Sequence, residues 1–170
     1  MNYKRLFVPD TLLFITVVTK DRKNILISNV QFLKEAFRIT MQKYSFEIIA
    51  IVVNHDHLHM IIKPEKINEY PKIIGSIKRT FTKISNIQYS LNKNGESDIW
   101  QRRYWEHTIM SEEDLYRHID YIHYNSMKHY NIAPRDWSFS SFNRFVKNGY
   151  YDINWCNFGD KYRINDLHLE

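Results

Sequence analysis

At 170 residues the chain fits one domain, long enough to bury a substantial core without disulfide or metal staples. Its single cysteine, Cys156, excludes an internal disulfide and asks for no oxidising compartment, so a cytoplasmic protein is expected. A net charge of +5, a pI near 9.2 and 15% aromatic residues favour an anionic partner such as nucleic acid over an acidic small substrate. The apolar segment from Thr11 to Thr19 is too short to cross a bilayer, rich in β-branched residues and without a small-residue cleavage site. It reads as a first strand, and no membrane association is expected. "NVQFLKEAFRITMQKY" repeats apolar residues at Phe32, Leu33, Ala36, Phe37 and Met41, the spacing of an amphipathic helix. Phe46 to Val53 is apolar along most of its length, as in a central strand buried on both faces. The turn formers Asn54, His55 and Asp56 lead into a third strand from His57 to Lys63, which predicts a hairpin.

"EYPKIIGSIKRTFTKISNIQYSL" is a second helix, with Ile73, Ile77, Phe81 and Ile84 inward and Lys72, Lys78, Arg79 and Lys83 making a basic outer side. "LNKNGESD" is a polar loop, and a fourth strand runs around Tyr104 to Met110. Ser111 and Asp114 match the S-x-x-D cap of a third helix, in which Leu115, Ile119 and Ile122 recur at helical spacing. This order, strand, helix, strand, strand, helix, strand, is that of a ferredoxin-like or RRM-like α+β fold. It implies an antiparallel sheet with helices on one face, to which the last helix is an addition. The division expected is a unit at 1–130 and an irregular or helical C-terminal appendage at 131–170.

"VVNHDHLHM" concentrates chemistry at the hairpin. Strand alternation projects His57 and His59 to one side, about 7 Å apart at the backbone, while Leu58 and Met60 point into the core. Two such imidazoles can converge on one metal ion. Nitrogen and oxygen ligands without thiolate suit magnesium, manganese or zinc, with Mg2+ or Mn2+ the ion expected. His55, in the turn, is a third ligand, a phosphate contact or a solvated side chain. On the last helix Tyr121 and Asn125 share a polar flank with Asp114 and His118, apart from the apolar stripe and not needed for packing. A tyrosine one turn from an amide can present its phenolic oxygen beside a metal ligand, as a nucleophilic tyrosine requires. Tyr116 with Asp120 has the same spacing and ranks second. Tyr124 points away from the core and pairs with Lys128.

With these residues in view, the chain resembles the single-tyrosine HUH transposases, and among them the REP-associated (IS200-like) tyrosine transposases of bacteria. "VVNHDHLHMII" resembles the HUH block, "IWQRRYWEHTI" the block after the family's basic helix, and "HIDYIHYNSMKH" the nucleophile helix. "DWSFSSF" and "GYYDINW" resemble its downstream segment, so the similarity spans nearly the whole chain. The resemblance implies Tyr121 as nucleophile and His57, His59 and Asn125 as metal ligands. The activity implied is nicking and joining of single-stranded or hairpin DNA by the 1–130 unit, through a 5′-phosphotyrosyl bond, with the appendage able to contact DNA. Relatives commonly carry a Gly-rich start to the first strand, a Leu-Pro before the acidic residue of the histidine block and a proline after the asparagine. Here Asp10-Thr11, Asn54-His55 and Ser126 stand there, and none removes a catalytic group.

Lys78, Arg79, Arg102, Arg103 and Lys128 are candidate phosphate contacts, and Trp100, Tyr104 and Trp105 offer surfaces for unstacked bases. The metal, Lys128 and His118 are candidates for favouring the phenolate. Such an enzyme would act on the bacterial nucleoid from the cytoplasm. Related enzymes can work as homodimers in which one subunit's helix serves the other's metal, so monomer and homodimer both stay open. The alternatives are a non-catalytic ferredoxin-like nucleic-acid-binding module, indifferent to metal, and a metal-dependent hydrolase that activates water and leaves Tyr121 dispensable.

Overall fold

A computed structural model of the chain describes residues 10–156. Strands β1 (Leu13–Val18), β2 (Phe46–Val53), β3 (His57–Pro64) and β4 (Trp105–Thr108) form one antiparallel sheet in the order β2-β3-β1-β4. Helices α1 (Val30–Lys43), α2 (Tyr70–Ile84), α3 (Glu112–Tyr130) and α4 (Phe142–Lys147) complete the element order. The ferredoxin-like arrangement is therefore present. Among the described residues no helix is long and apolar enough to cross a membrane.

Alternation along the strands divides the interior into two cores. Leu13, Ile15 and Val17 of β1 with Leu58, Met60 and Ile62 of β3 meet Leu33, Phe37, Ile73, Ile77 and Phe81 of α1 and α2. On the other face Phe14, Ala50, Val52 and Ile61 meet Ile119, Tyr121 and Ile122 of α3. His57 and His59 share the alternation of Ile61, so the fold aims both at α3. That helix starts where its cap predicts, with the Asp114 N–H donating to Ser111 Oγ at 3.1 Å. It ends at Asn131, whose left-handed φ of 54° suits an amide side chain better than most.

Three expectations are corrected. β2 is an edge strand and not a central one: its outer side is covered by residues 137–144. The Val53 N–H donates to Phe139 O at 2.8 Å, the Ser141 N–H to Ile51 O at 2.9 Å, and Arg144 Nη2 to Ile49 O at 2.6 Å, beside the register shift between Ile48 and Ala50. This cover removes a pairing edge that would otherwise invite another strand. The second helix stops at Ile84, so the segment after it belongs to the loop. The polar flank of α3 is buried: Tyr121 is 2% exposed and Asn125 and His118 are equally enclosed, because the sheet lies on one side of α3 and the aromatic appendage on the other.

The appendage is tied to α3 through His123, whose Nε2 lies 2.8 Å from Ser141 Oγ and Nδ1 3.1 Å from Tyr151 Oη, while Tyr151 donates to Asp120 at 2.7 Å. Burial first, then the Arg144 charge, pulls its pKa from 6.5 to about 3, so the folded ring stays neutral. A depressed histidine adds stability above its unfolded value and loses it as pH falls, because the unfolded chain takes up the proton that the folded chain refuses. His123 should thus remove about 2 kcal/mol between pH 6.5 and 5. Urea unfolding at the two pH values measures this, and His123→Gln is expected to flatten the slope by that amount. Parallel slopes would contradict it.

Candidate active site and metal centre

β3 runs between β1 and β2, which sets its two histidines in the middle of the sheet. His59 is opposite Thr16 in the register, and Thr16 Oγ1 holds its Nδ1 at 2.8 Å. The His57 and His59 rings are 4.9 Å apart between centroids, so the pair converges as the H-x-H spacing predicts. His57 Nδ1 lies 2.6 Å from Asp56 Oδ1, and Arg22 reaches the other carboxylate oxygen at 3.4 Å. Burial by itself would raise the Asp56 carboxyl, but His57 and then Arg22 outweigh it and hold the group below its ordinary value. An ionised Asp56 keeps the proton of His57 on Nδ1, which leaves Nε2 as an acceptor. That acceptor takes Asn54 Nδ2 at 2.9 Å, and the same Nδ2 donates to Asn125 Oδ1 at 2.6 Å. His57 Nε2 and Asn125 Oδ1 therefore aim at one point.

Tyr121 stands beside them in the same chain, its ring 5.2 Å from that of His59. Lys128 Nζ donates to Tyr121 Oη at 3.1 Å and sits 5.0 Å from the ring centroid. Seven residues make nearly two helical turns, so Lys128 reaches back along one face to Tyr121, while Tyr124, expected to point away from the core, packs half-buried against it. An ammonium donating to a phenolic oxygen stabilises the phenolate form. The second-ranked pair lies elsewhere: Tyr116 is exposed and donates to Glu112 at 2.6 Å, whereas Asp120 is buried against Tyr151.

A further group adjoins the site. Ligand atoms of His107, Asp114 and His118 lie within 4.8 Å of one another, and this cluster could hold a metal ion. His107 Nε2 and His118 Nδ1 contact the two oxygens of Asp114 at 2.8 and 3.0 Å. The Asp114 carboxyl, which burial would raise, is brought below its usual value by the Met110 N–H and then His107. His118 is lowered chiefly by burial, against the pull of Asp114. The Phe14 ring lies between the two groups, 4.7 Å from His118 and 5.5 Å from His59.

Of the five cationic candidates only Lys128 meets the tyrosine. Lys78, Arg79 and Arg102 line a cavity of about 870 Å³, with Lys83, Trp100 and Tyr104, between α2 and the loop before β4, on the face of the sheet away from α3. Lys78 Nζ donates to Gln101 O at 2.7 Å, and burial lowers its pKa to about 8, so it straps the loop to α2. Arg102 pairs with Glu96 at 3.0 Å, and Arg103 is exposed. Trp100 is buried and donates to Lys78 O, which removes it as a base platform, whereas Trp105 is 37% exposed. His55 lies against the rings of Tyr130 and Trp137. The sequence reading missed Thr16, Asn54 and His129, whose ring is 4.9 Å from that of His57. Only His129 carried a local signal, one helical turn after Asn125.

With this geometry in hand, known proteins fall into place beside the chain. The family model for IS200-like transposases matches residues 8–125. A Haemophilus influenzae protein named as a REP-associated tyrosine transposase is 40% identical over 162 residues, covering 91% of this chain and 92% of the relative. The REP-associated tyrosine transposase of Escherichia coli is 34% identical over 158 residues, covering 91% and 90%. A REP-associated tyrosine transposase solved bound to a REP hairpin matches with a TM-score of 0.82 at 31% identity, covering 92% of each chain. The chain belongs to the IS200-like transposase family.

Proposed function

We propose that this transposase cleaves and rejoins single-stranded DNA through a covalent 5′-phosphotyrosine on Tyr121, with DNA hairpins as its partner. The observation that carries the reading is the Tyr121 phenol, held by the Lys128 ammonium and set against His59 in one chain. Tyr121 Oη attacks a backbone phosphorus and gives its proton to solvent. The bond to the 3′ oxygen breaks, and that oxygen takes a proton from solvent and leaves as a hydroxyl. A 3′-hydroxyl from a second site reverses the step and joins strands, so bond energy is conserved and no nucleotide triphosphate is used. His57, His59 and Asn125 offer two imidazoles and a carboxamide oxygen, a set that fits a divalent cation, Mg2+ or Mn2+. Bound there, the ion would neutralise charge on the non-bridging phosphate oxygens.

Because Tyr121 and the histidines belong to one chain, the chemistry needs no second subunit. We assign the chemistry to 1–130 and the cover of α3 and β2 to residues 131–156, the rest of the expected appendage lying outside the described residues. The cationic cavity beside α2 is suited to DNA flanking the hairpin, which reaches it around the β4 edge. Arg79 offers a phosphate contact there and the exposed Arg103 another in the loop before β4, and the enzyme would meet this DNA on the bacterial nucleoid, in the cytoplasm.

Incubation with labelled hairpins carrying single-stranded flanks, in Mn2+, should give a denaturant-resistant adduct that peptide mapping places on Tyr121. Absence of adduct across a randomised flank library would overturn the reading. Lys128→Met should slow single-turnover cleavage at neutral pH by about 10²-fold, with much of the loss recovered at alkaline pH as the phenol ionises unaided. A rate equal to wild type would remove Lys128 from this role.

A further inference from the structure

Asn54 is fully buried in the turn before β3, and nothing about turn formation requires its amide to point inward. Its Nδ2 nonetheless occupies the one point on which His57 Nε2 and Asn125 Oδ1 converge, at 2.9 and 2.6 Å. The orientation of the amide follows from its neighbours: His57 donates its Nδ1–H to the Asp56 carboxylate, so Nε2 can only accept, and an acceptor demands the NH2 end of Asn54. Two buried atoms next to this bridge, Asn54 Oδ1 and Asn125 Nδ2, have no hydrogen-bond partner among the described residues. A carbonyl oxygen held in that condition at the heart of a polar cluster calls for a donor or a cation.

A cation shared by His57 and Asn125 must stand where the Asn54 NH2 stands. The amide hydrogens carry partial positive charge, so they cannot face it. Turning the amide by half a revolution about its last side-chain bond exchanges nitrogen for oxygen at almost unchanged volume, without moving the turn. We propose that Asn54 is a fourth protein ligand of this metal centre and its gate: its amide nitrogen competes with the cation for His57 and Asn125, and on turning it presents Oδ1 in the nitrogen's place. The proposal rests on the assignment of the metal to His57, His59 and Asn125. It goes further in giving this chain a ligand outside the H-x-H pair and the nucleophile helix.

The test is Mn2+ binding by the full chain without DNA, read as the loss of the free-ion EPR signal, with circular dichroism confirming that each variant is folded. Asn54→Ala should weaken binding roughly tenfold or more. Asn54→Asp, whose carboxylate has the same reach, should bind more tightly than wild type, and this variant keeps the proposal testable if the alanine protein does not fold. Binding by Asn54→Ala equal to or tighter than wild type would overturn the ligand role, since the amide would then only block the ion. An Asn54→Asp protein that binds more weakly than wild type would overturn it as well. His57→Ala separates the two levels. Its loss of binding is expected on both, whereas wild-type affinity in His57→Ala would sink the metal assignment itself, and the role of Asn54 with it.

Discussion

Tyr121→Phe should leave hairpin binding nearly intact and abolish the covalent protein–DNA adduct. The substitution removes one oxygen from a side chain that is 2% exposed, and keeps the ring contacts with Phe14 and His59. Its structural cost is the hydrogen bond from Lys128, worth about 1 kcal/mol. Nothing in the cationic surface changes, so the affinity for DNA carried by phosphate contacts is retained. The chemical cost is total, because a phenyl ring has no nucleophilic atom. The other tyrosines of α3 are poor substitutes. Tyr116 lies against Glu112, whose hydrogen bond and then charge raise its phenol above the ordinary value, and this makes the phenolate scarcer near neutral pH. Adduct formation by Tyr121→Phe at the wild-type rate, followed by gel shift in denaturant, would move the nucleophile away from Tyr121.

The elements of the fold were legible because hydrophobic period reports burial. α3 runs from Glu112 to Tyr130 as its cap and spacing predict, and β2 spans Phe46–Val53 as read. The position of β2 in the sheet was not legible, and the reason is physical. Ile48 and Ile51 pack on one core and Ala50 and Val52 on the other, so the strand is apolar on both faces whether its outer edge meets another strand or the Phe139–Ser141 segment. Side-chain burial records the faces of a sheet and is silent on its edges. The flank of α3 failed for a related reason: helical angle separates Tyr121 from the Ile119 stripe, but aromatic residues some 20 to 30 positions downstream bury part of the remaining circumference. Within the site, His57, His59, Tyr121 and Asn125 stood out because local spacing places them. Thr16 and Asn54 did not, since their meaning lies in contacts across 43 and 71 residues of sequence, to His59 and Asn125.

Replacing His59 by glutamine should lower single-turnover cleavage in Mn2+ by about 10³-fold, or about 4 kcal/mol of transition-state stabilisation, while the protein stays folded. Glutamine has comparable bulk and can still bond the Thr16 hydroxyl, so the sheet register is kept, although the ring stacking on Phe14 is given up. What it lacks is an imidazole nitrogen beside the phenol. The same measurement on His107→Gln distinguishes the two histidine groups of the site. His107 is paired with Asp114, and the Phe14 ring lies between that cluster and His59, so its removal is expected to cost far less than the loss at His59. A reversed order, with His59→Gln near wild type and His107→Gln inactive and insensitive to Mn2+, would transfer the metal to His107, Asp114 and His118. Tyr121 could keep its role in that case, since His118 lies one helical turn before it, but the H-x-H pair would then be left with a purely structural part: ordering the Asn54 and Asp56 turn beneath the nucleophile helix.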